Sequence, residues 1–280
     1  MVKLFLSLVL LFSLGYSSEN IVLDKDLLVQ KIENFLGQSS YEKKKNFINV
    51  IFDPISSFYI NDRVDDIKVI KTLEDNGLLK LFFKKPKEIR LSFKTSGSPL
   101  FFVKIMGDSL RNIGYYRYVT TASKLNSSEF TWSISMTSEY ATDPLVLQTE
   151  LAKSACYITN IRRNSATDWV YTVDMRAGFL NLLKLEDSKK VELKHSLYAH
   201  WLDCSMIQKL KIKSSRRNHW YPQISYYDSS LHLLNVTKID EKRRLVSIEI
   251  PKRAKYMKIS DLYTLKNVKD ELVLSPYGRR

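Results

Sequence analysis

The stretch "LRNIG", Leu110–Gly114, ends an apolar pattern with helical spacing and precedes strand-like residues. Similar stretches occur at Leu73–Gly77, "LEDNG", and at Leu151–Ala155, "LAKSA", so the three leucines are 37 and 41 residues apart. Glycine ends helices because it readily adopts the left-handed conformation, and periods near 40 residues are typical of repeated units. The pattern predicts three helix–strand–strand units. Unrepeated α/β proteins also alternate in this way, but the matching register of helix ends and strands favours a repeat.

Alternating apolar residues follow these helix ends, at the two-residue period of a half-buried strand. They are Phe130, Trp132, Ile134 and Met136 in the second unit, and Trp169, Tyr171, Val173 and Met175 in the third. In the first unit we expect strands at 78–83 and 88–94, with a turn at Lys84–Lys87. Each unit would lay its helix on one face of a mainly antiparallel sheet, which is a two-layer α/β arrangement.

The regions on either side of the units have different patterns. Residues 26–53 predict two helices separated near Gly37, and the second has an apolar stripe of Phe47, Ile48, Ile51 and Phe52. From about residue 185, short strands alternate with turn residues, which indicates a small β-sandwich. We therefore expect an α+β fold with an N-terminal helical segment at 18–62, a repeated helix–strand–strand domain at 63–180 and a β-sandwich domain at 185–280.

The N-terminal sequence "MVKLFLSLVLLFSLGYSSE" has the pattern of a secretory signal peptide. Lys3 supplies the positive charge, Leu4–Leu14 is an uncharged apolar run, and Gly15 and Ser17 are small residues suited to cleavage. A membrane anchor is the alternative, but the run is shorter than the roughly 20 apolar residues that span a bilayer. We expect residues 1–17 to be removed, no transmembrane segment in the mature chain, and a periplasmic location.

The charge of the chain limits its partners. Its formal net charge is +14, and residues 185–280 contain 20 Lys and Arg against 11 Asp and Glu. An exported basic domain does not meet nucleic acid; the anions available to it are phosphorylated lipids, anionic cell-wall glycans and acidic proteins. The alternative is that the lysines only solvate the surface.

The chain has two cysteines, Cys156 and Cys204. Export would allow them to form a disulfide, and the alternative is a pair of buried thiols. Neither lies in a C-x-x-C motif, so the sequence does not predict thiol-redox catalysis or a structural zinc site. His195 and His200 are five residues apart in a predicted strand and would point to opposite faces, so we predict no metal site and no cofactor.

Catalytic motifs are weak. Ser40–Lys43 matches S-x-x-K, and Lys94–Gly97 resembles K-T-G, the motifs of penicillin-interacting serine enzymes. Ser96 interrupts the second motif, and no S-D-N lies between the two. We therefore predict no catalytic residue, and the sequence favours a binding protein over an enzyme.

The segment "RRNHWYPQISYYD", Arg216–Asp228, combines aromatic and basic residues. In a strand, Trp220, Pro222, Ile224 and Tyr226 would face the core, and Tyr221, Gln223, Ser225 and Tyr227 the other side. Exposed aromatic rings with Arg are typical of binding surfaces. The predicted ligand-binding residues are Arg216, Arg217, Tyr221, Gln223 and Tyr227; the alternative is an ordinary core strand.

We expect a non-catalytic periplasmic or envelope protein whose basic, aromatic C-terminal β domain binds an envelope protein complex or an anionic cell-wall glycan. The alternative is an exported carbohydrate-binding or carbohydrate-active protein. An open cleft lined by the predicted residues would favour a glycan, and a flat surface or an edge strand would favour a protein. The sequence leaves the oligomeric state open.

Overall fold

A computed structural model describes residues 25–279, so the predicted signal peptide at 1–17 lies outside the described residues. Five α-helices and sixteen strands occur in the described range, which confirms the predicted α+β class. The described part of the chain divides into two compact units: the first ends at Leu79, and the second begins at Lys80. No helix within residues 25–279 is long and apolar enough to span a membrane.

The first unit is mainly helical. Its elements are α1 (Lys25–Leu36), α2 (Gln38–Ile51), a 3-10 turn (Ile55–Phe58), a short hairpin of β1 (Tyr59–Ile60) and β2 (Arg63–Val64), and α3 (Asp66–Asp75). The two predicted helices and the break at Gly37 are present. Asp65 caps α3, because its side chain accepts a hydrogen bond from the backbone N–H of Lys68 at 3.1 Å.

An apolar core and an ion pair stabilise this unit. Ile32 and Phe35 of α1, Ile48 of α2 and Leu73 of α3 are almost fully buried. Lys31 of α1 donates a hydrogen bond of 2.8 Å to the buried carboxylate of Asp66 in α3. The stripe predicted for α2 is partly wrong, because Phe47 is 47% exposed.

The second unit begins with a mixed sheet and two helices. Its elements in chain order are β3 (Phe82–Thr95), α4 (Pro99–Asn112), β4 (Val119–Leu125), β5 (Phe130–Tyr140), α5 (Pro144–Ala152), β6 (Tyr157–Arg163) and β7 (Asp168–Asp174). The strand order is β4-β5-β3-β7-β6. Neighbouring strands are antiparallel except β3 and β7, which are parallel. The residues predicted to alternate inward on β5 and β7 are buried.

The helix ends quoted from the sequence have one conformation in common. Leu73, Leu110 and Leu151 are fully buried, and each backbone carbonyl accepts a hydrogen bond from the N–H five residues later, at 2.8, 2.8 and 3.1 Å. The residue just before each N–H donor has a left-handed backbone, with φ of 66° at Gly77, 101° at Gly114 and 51° at Ala155. These are the bonds of a Schellman helix end, so the predicted register of the three helices is confirmed.

The first predicted unit differs from the other two. Two strands follow each of α4 and α5, as expected, but Phe82–Thr95 is one continuous strand. The turn expected at Lys84–Lys87 is instead a register shift in the pairing of β3 with β5, between Phe82 and Lys87. In addition, α3 belongs to the first compact unit, and β3 begins the second.

The C-terminal half of the second unit contains nine strands. They are β8 (Leu183–Lys184), β9 (Val191–Leu193), β10 (His200–Asp203), β11 (Ile207–Ser214), β12 (Pro222–Tyr227), β13 (Leu233–Lys238), β14 (Leu245–Glu249), β15 (Tyr256–Asp261) and β16 (Leu272–Gly278). They form a five-stranded sheet in the order β13-β12-β15-β10-β8 and a four-stranded sheet in the order β14-β11-β16-β9.

One apolar core joins these two sheets, as expected for a β-sandwich. It includes Trp220 and Ile259 from the five-stranded side, and Leu210, Ile212 and Leu274 from the four-stranded sheet. The indole of Trp220 donates a hydrogen bond of 2.9 Å to the backbone carbonyl of Ser260, which satisfies its buried N–H.

Candidate functional site

A cleft of about 550 Å³ lies between the outward face of α4 and the five-stranded sheet of the sandwich. Its volume is within the range of small-ligand sites. The lining residues are Pro99, Leu100, Val103, Lys104, Gly107, Asp108, Arg111, Tyr118, Ser123, Phe130, Tyr198, Ala199, Trp201, Tyr227 and Leu231.

The sequence of α4 gives the helix two different faces. Phe102, Ile105 and Met106 are buried against the sheet side, where the Phe102 ring meets Phe130 edge-on at 6.2 Å. Residues at helical spacing on the other side, among them Lys104 and Arg111, line the cleft. The helix therefore both completes the core and forms one wall of the site.

Gly107 lies in the part of α4 that lines the cleft and, because it has no side chain, leaves space there. A Cβ atom at this position would lie 3.4 Å from the hydroxyl of Tyr118, which also belongs to the cleft lining. Glycine in a helix interior costs about 1 kcal/mol relative to alanine, so its position in α4 is unfavourable for the helix alone. A larger side chain at position 107 would occupy the cleft.

One end of the cleft combines aromatic rings with cations. The rings of Trp201 and Tyr227 are 4.9 Å apart and tilted by 30°. Lys104 Nζ lies 4.9 Å from the centre of the Trp201 ring, and Lys258 Nζ lies 5.8 Å from it. The Arg111 guanidinium lies 4.2 Å from the centre of the Tyr198 ring. These distances are within the range of cation–π contacts.

Charge at this end is predominantly positive. Asp108 forms ion pairs with Lys104 and with Arg111, the latter at 3.1 Å. Asp108 therefore offsets part of the charge of Lys104 and Arg111, and Lys258 adds a third cation near the Trp201 ring. Burial lowers the pKa of Lys104, although the neighbouring Asp108 opposes this shift. An anionic group of a ligand would reduce the excess positive charge and offset part of that burial cost.

The part of the cleft beside the first turns of α4 is its apolar end, where Pro99, Leu100 and Val103 line it. The cleft lining also includes the apolar residues Phe130 and Leu231. Leu100 is 54% exposed at the rim, whereas Phe130 and Leu231 are buried. Removing this apolar surface from water is favourable, so an apolar part of a ligand would bind here.

A smaller, polar cavity of about 260 Å³ adjoins the cleft. Both cavities are lined by Lys104, Asp108, Arg111, Ala199 and Trp201, so this group forms the boundary between them. On the polar side, Asn112 donates a hydrogen bond of 2.6 Å to Glu150, and Lys153 forms an ion pair with the same carboxylate. A ligand in the cleft thus has a polar extension beyond the cationic end.

The predicted ligand-binding residues do not form one site. Tyr227 lines the cleft, whereas Tyr221 contacts Tyr263, with ring centres 5.1 Å apart. Tyr221 and Tyr227 are about 20 Å apart along the strand direction. Gln223 lies between them and is half-buried; its backbone carbonyl accepts a hydrogen bond of 3.1 Å from Ser260.

The other predictions for this segment divide in the same way. Arg216 and Arg217 are exposed and precede β12. The predicted inward set of Trp220, Pro222, Ile224 and Tyr226 is buried. Ser225 was expected on the outward face with Tyr221 and Tyr227, but it is also buried.

Both cysteines are free thiols in the structure, and both are buried. The structure therefore has a pair of buried thiols, and no disulfide joins Cys156 and Cys204. Burial raises the pKa of Cys156 to about 11 and that of Cys204 to about 12. Both thiols are protonated near neutral pH and have little nucleophilic character.

The remaining polar residues do not converge on a metal. Within residues 25–279, no group of three His, Cys, Asp or Glu side chains is placed to hold a metal ion. The Nδ1 atom of His195 forms a hydrogen bond with the backbone carbonyl of Val268. Burial lowers the pKa of His200, and the nearby His195 adds to this shift.

Sequence reasoning missed the residues of α4 and β10 that form the cleft, above all Lys104, Arg111 and Trp201. One available signal was Gly107, because a glycine inside a helical pattern commonly has a packing or functional reason. The cleft brings α4 together with β10 and β12, which lie about 100 residues later in the sequence. No local sequence pattern predicts such a contact.

Comparisons with known proteins do not assign the chain to a family. No protein-family model and no curated protein matches it. Among solved structures, it is similar to a chain in the crystal structure of accessory secretory protein 1,2 and 3 in Streptococcus pneumoniae, at 15% identity and a TM-score of 0.19. The match covers 27% of this chain and 54% of that chain, about half its length. A TM-score this low does not indicate a common fold.

Proposed function

We propose that this chain is a non-catalytic, exported envelope protein that binds a segment of a partner protein in the cleft between α4 and the sandwich. The segment would present an apolar side chain beside an acidic one. The observation that carries this proposal is the division of one cleft into an apolar end and a cationic, aromatic end.

The apolar end favours a protein segment over a sugar. Leu100, Val103 and Leu231 offer no hydrogen bonds from their side chains to a hydroxyl group. A sugar placed there would bury hydroxyls without partners, which costs free energy. An aliphatic or aromatic side chain would instead gain about 25 cal/mol for each Å² of apolar surface removed from water.

The cationic end favours a ligand that carries an acidic group. Lys104, Arg111 and Lys258 lie close to aromatic rings. Among the described residues, Asp108 is the one carboxylate in the lining of the cleft. A ligand carboxylate would form charge-assisted hydrogen bonds, which are about twice as strong as neutral ones. This end also supports a second candidate function, the binding of an acidic glycan, because sugar rings stack on exposed aromatic faces such as Tyr198.

Fluorescence titration of the full chain with anilinonaphthalene sulfonate tests the cleft, since this dye has an apolar body and an acidic group. The replacement Gly107→Leu should weaken dye binding, because the new side chain occupies part of the cleft beside Tyr118. The matched control Gly107→Ala adds only a Cβ atom and should retain binding. Dye binding unchanged by Gly107→Leu would refute the cleft as a ligand site.

Phenylnaphthylamine, which lacks the sulfonate, separates the two ends. Arg111→Gln should weaken binding of the sulfonate dye and leave the neutral dye unaffected. Short peptides that combine Leu or Phe with Glu should displace the sulfonate dye from the cleft. If uronic acid oligomers displace it and the peptides do not, the glycan function replaces the protein-segment function.

A further inference from the structure

Three lysines form a line on the outer face of the four-stranded sheet. Lys209, Lys211 and Lys213 alternate with Leu210 and Ile212, and the lysines are exposed whereas the two apolar residues are completely buried. Because β11 lies between β14 and β16, the line runs along the middle of this face. The face is separate from the cleft, which uses the other sheet.

The strand register defines the neighbours of each lysine. Lys211 lies between Ser247 of β14 and Ser275 of β16. Its Nζ atom is 5.4 Å from the centre of the Tyr277 ring.

The ends of the line have different neighbours. Lys209 lies between Glu249 and Tyr277, and Lys213 lies between Leu245 and Val273. Among the described residues, none of the three lysines has a carboxylate oxygen within 4.0 Å of its ammonium group. With three lysines and Glu249 beside one of them, the line retains an excess of positive charge.

We infer that this face binds a linear phosphodiester polymer extended along β11. Alternate residues of a strand are about 6.6–6.8 Å apart, a distance spanned by six backbone bonds of an extended chain. A polyol phosphate with three carbons between phosphates also has six bonds from one phosphorus to the next. Its charges therefore repeat at the spacing of the lysines.

The flanks of the line suit phosphate. The hydroxyls of Ser247 and Ser275 lie on either side of the central lysine and can donate hydrogen bonds to phosphate oxygens. Lysine binds phosphate as a point charge and needs no fixed planar geometry. The small serines also leave room for a chain to approach the sheet.

The experiment measures binding of the full chain to a short oligo(glycerol phosphate) at low salt. The triple variant Lys209→Gln, Lys211→Gln, Lys213→Gln should lose about tenfold in affinity, since each exposed pair contributes modestly. The control triple variant Lys238→Gln, Lys242→Gln, Lys266→Gln removes the same charge from the same half of the chain and should lose less than about twofold. Circular dichroism checks that both variants remain folded.

Two comparison polymers test the spacing and the chemistry. Inorganic polyphosphate has phosphates two bonds apart and should bind more weakly than oligo(glycerol phosphate) at equal total charge. Polyglutamate that binds more tightly than the phosphodiester would overturn the assignment in favour of an acidic peptide. Equal losses in the two triple variants would show non-specific attraction to net charge and would also overturn it. Since these probes do not require the cleft, Gly107→Leu should not change their binding.

Discussion

Replacing Gly114 by alanine should destabilise the chain, whereas replacing Gly107 by alanine, seven residues earlier, should stabilise it. Gly114 has φ of 101°, and a Cβ atom there would meet no other atom within 4 Å. The cost of Gly114→Ala is therefore conformational and not steric. Gly107 lies inside α4, where alanine is the better helix former.

The expected magnitudes follow from the backbone. An alanine forced into the left-handed region costs about 1–2 kcal/mol, and the lower entropy of its unfolded chain returns about 0.4–1 kcal/mol. The net loss for Gly114→Ala is about 1 kcal/mol. Gly107→Ala should gain up to about 1 kcal/mol. Ala155 occupies the equivalent left-handed position with φ of 51°. Ala155→Gly would remove the strain of a left-handed alanine and add entropy to the unfolded chain, so it should stabilise the chain by up to about 1 kcal/mol.

Urea unfolding at equilibrium measures all three variants, and unchanged slopes against urea would show that only stability has changed. The three values form a pattern of one loss and two gains. If Gly114→Ala were as stabilising as Gly107→Ala, Gly114 would not occupy a left-handed helix end. A loss for Ala155→Gly would show that the third helix end is not equivalent to the second.

Three further predictions concern the core, the thiols and export. Each of Leu73→Ala, Leu110→Ala and Leu151→Ala should cost about 2–5 kcal/mol in urea unfolding, because all three side chains are fully buried; near-zero effects at two of the three would contradict their equivalence. Because burial raises the pKa of Cys156 to about 11 and that of Cys204 to about 12, Ellman's reagent at pH near 8 should react with neither thiol in the folded chain and with both in urea, and no reaction in urea would reveal a disulfide. Intact mass of the exported protein should correspond to cleavage after Ser17, and a full-length chain in the membrane pellet would contradict the signal-peptide prediction.

Local patterns predicted the parts of the fold in which neighbouring residues decide the conformation. The two-residue alternation placed Trp132, Ile134, Trp169 and Tyr171 inside the structure, because one face of each strand is buried. The helix ends at Gly77 and Gly114 were also predictable, since a left-handed backbone strongly favours glycine.

The errors arose where two local interpretations compete. Pro86 and the lysines around it are typical of a turn, but Phe82–Thr95 is one continuous strand. The pairing of this strand with β5 shifts register between Phe82 and Lys87. Proline is compatible with such irregular positions in a sheet. In α2, Phe47 and Ile48 both fit an apolar stripe, but only Ile48 is buried.

The cleft could not be predicted because tertiary packing creates it. Tyr227 was identified from its place in an aromatic segment, but Lys104 and Arg111, which line the same cleft, come from a helix about 120 residues earlier. The periodicity of α4 shows which residues face away from the core, and it does not show which strand they will meet.

The position of β16 has a consequence for the kinetics of folding. This strand lies between β11 and β9, so two earlier strands pair with a segment that follows them by about 60 to 80 residues. Pairings with long sequence separation slow folding, because the loop must be closed before the contacts can form. The four-stranded sheet therefore cannot be completed until residue 278 has been synthesised. A nascent chain stopped before β16 would expose the edges of β9 and β11, where pulse-labelling by hydrogen exchange would detect unprotected amides.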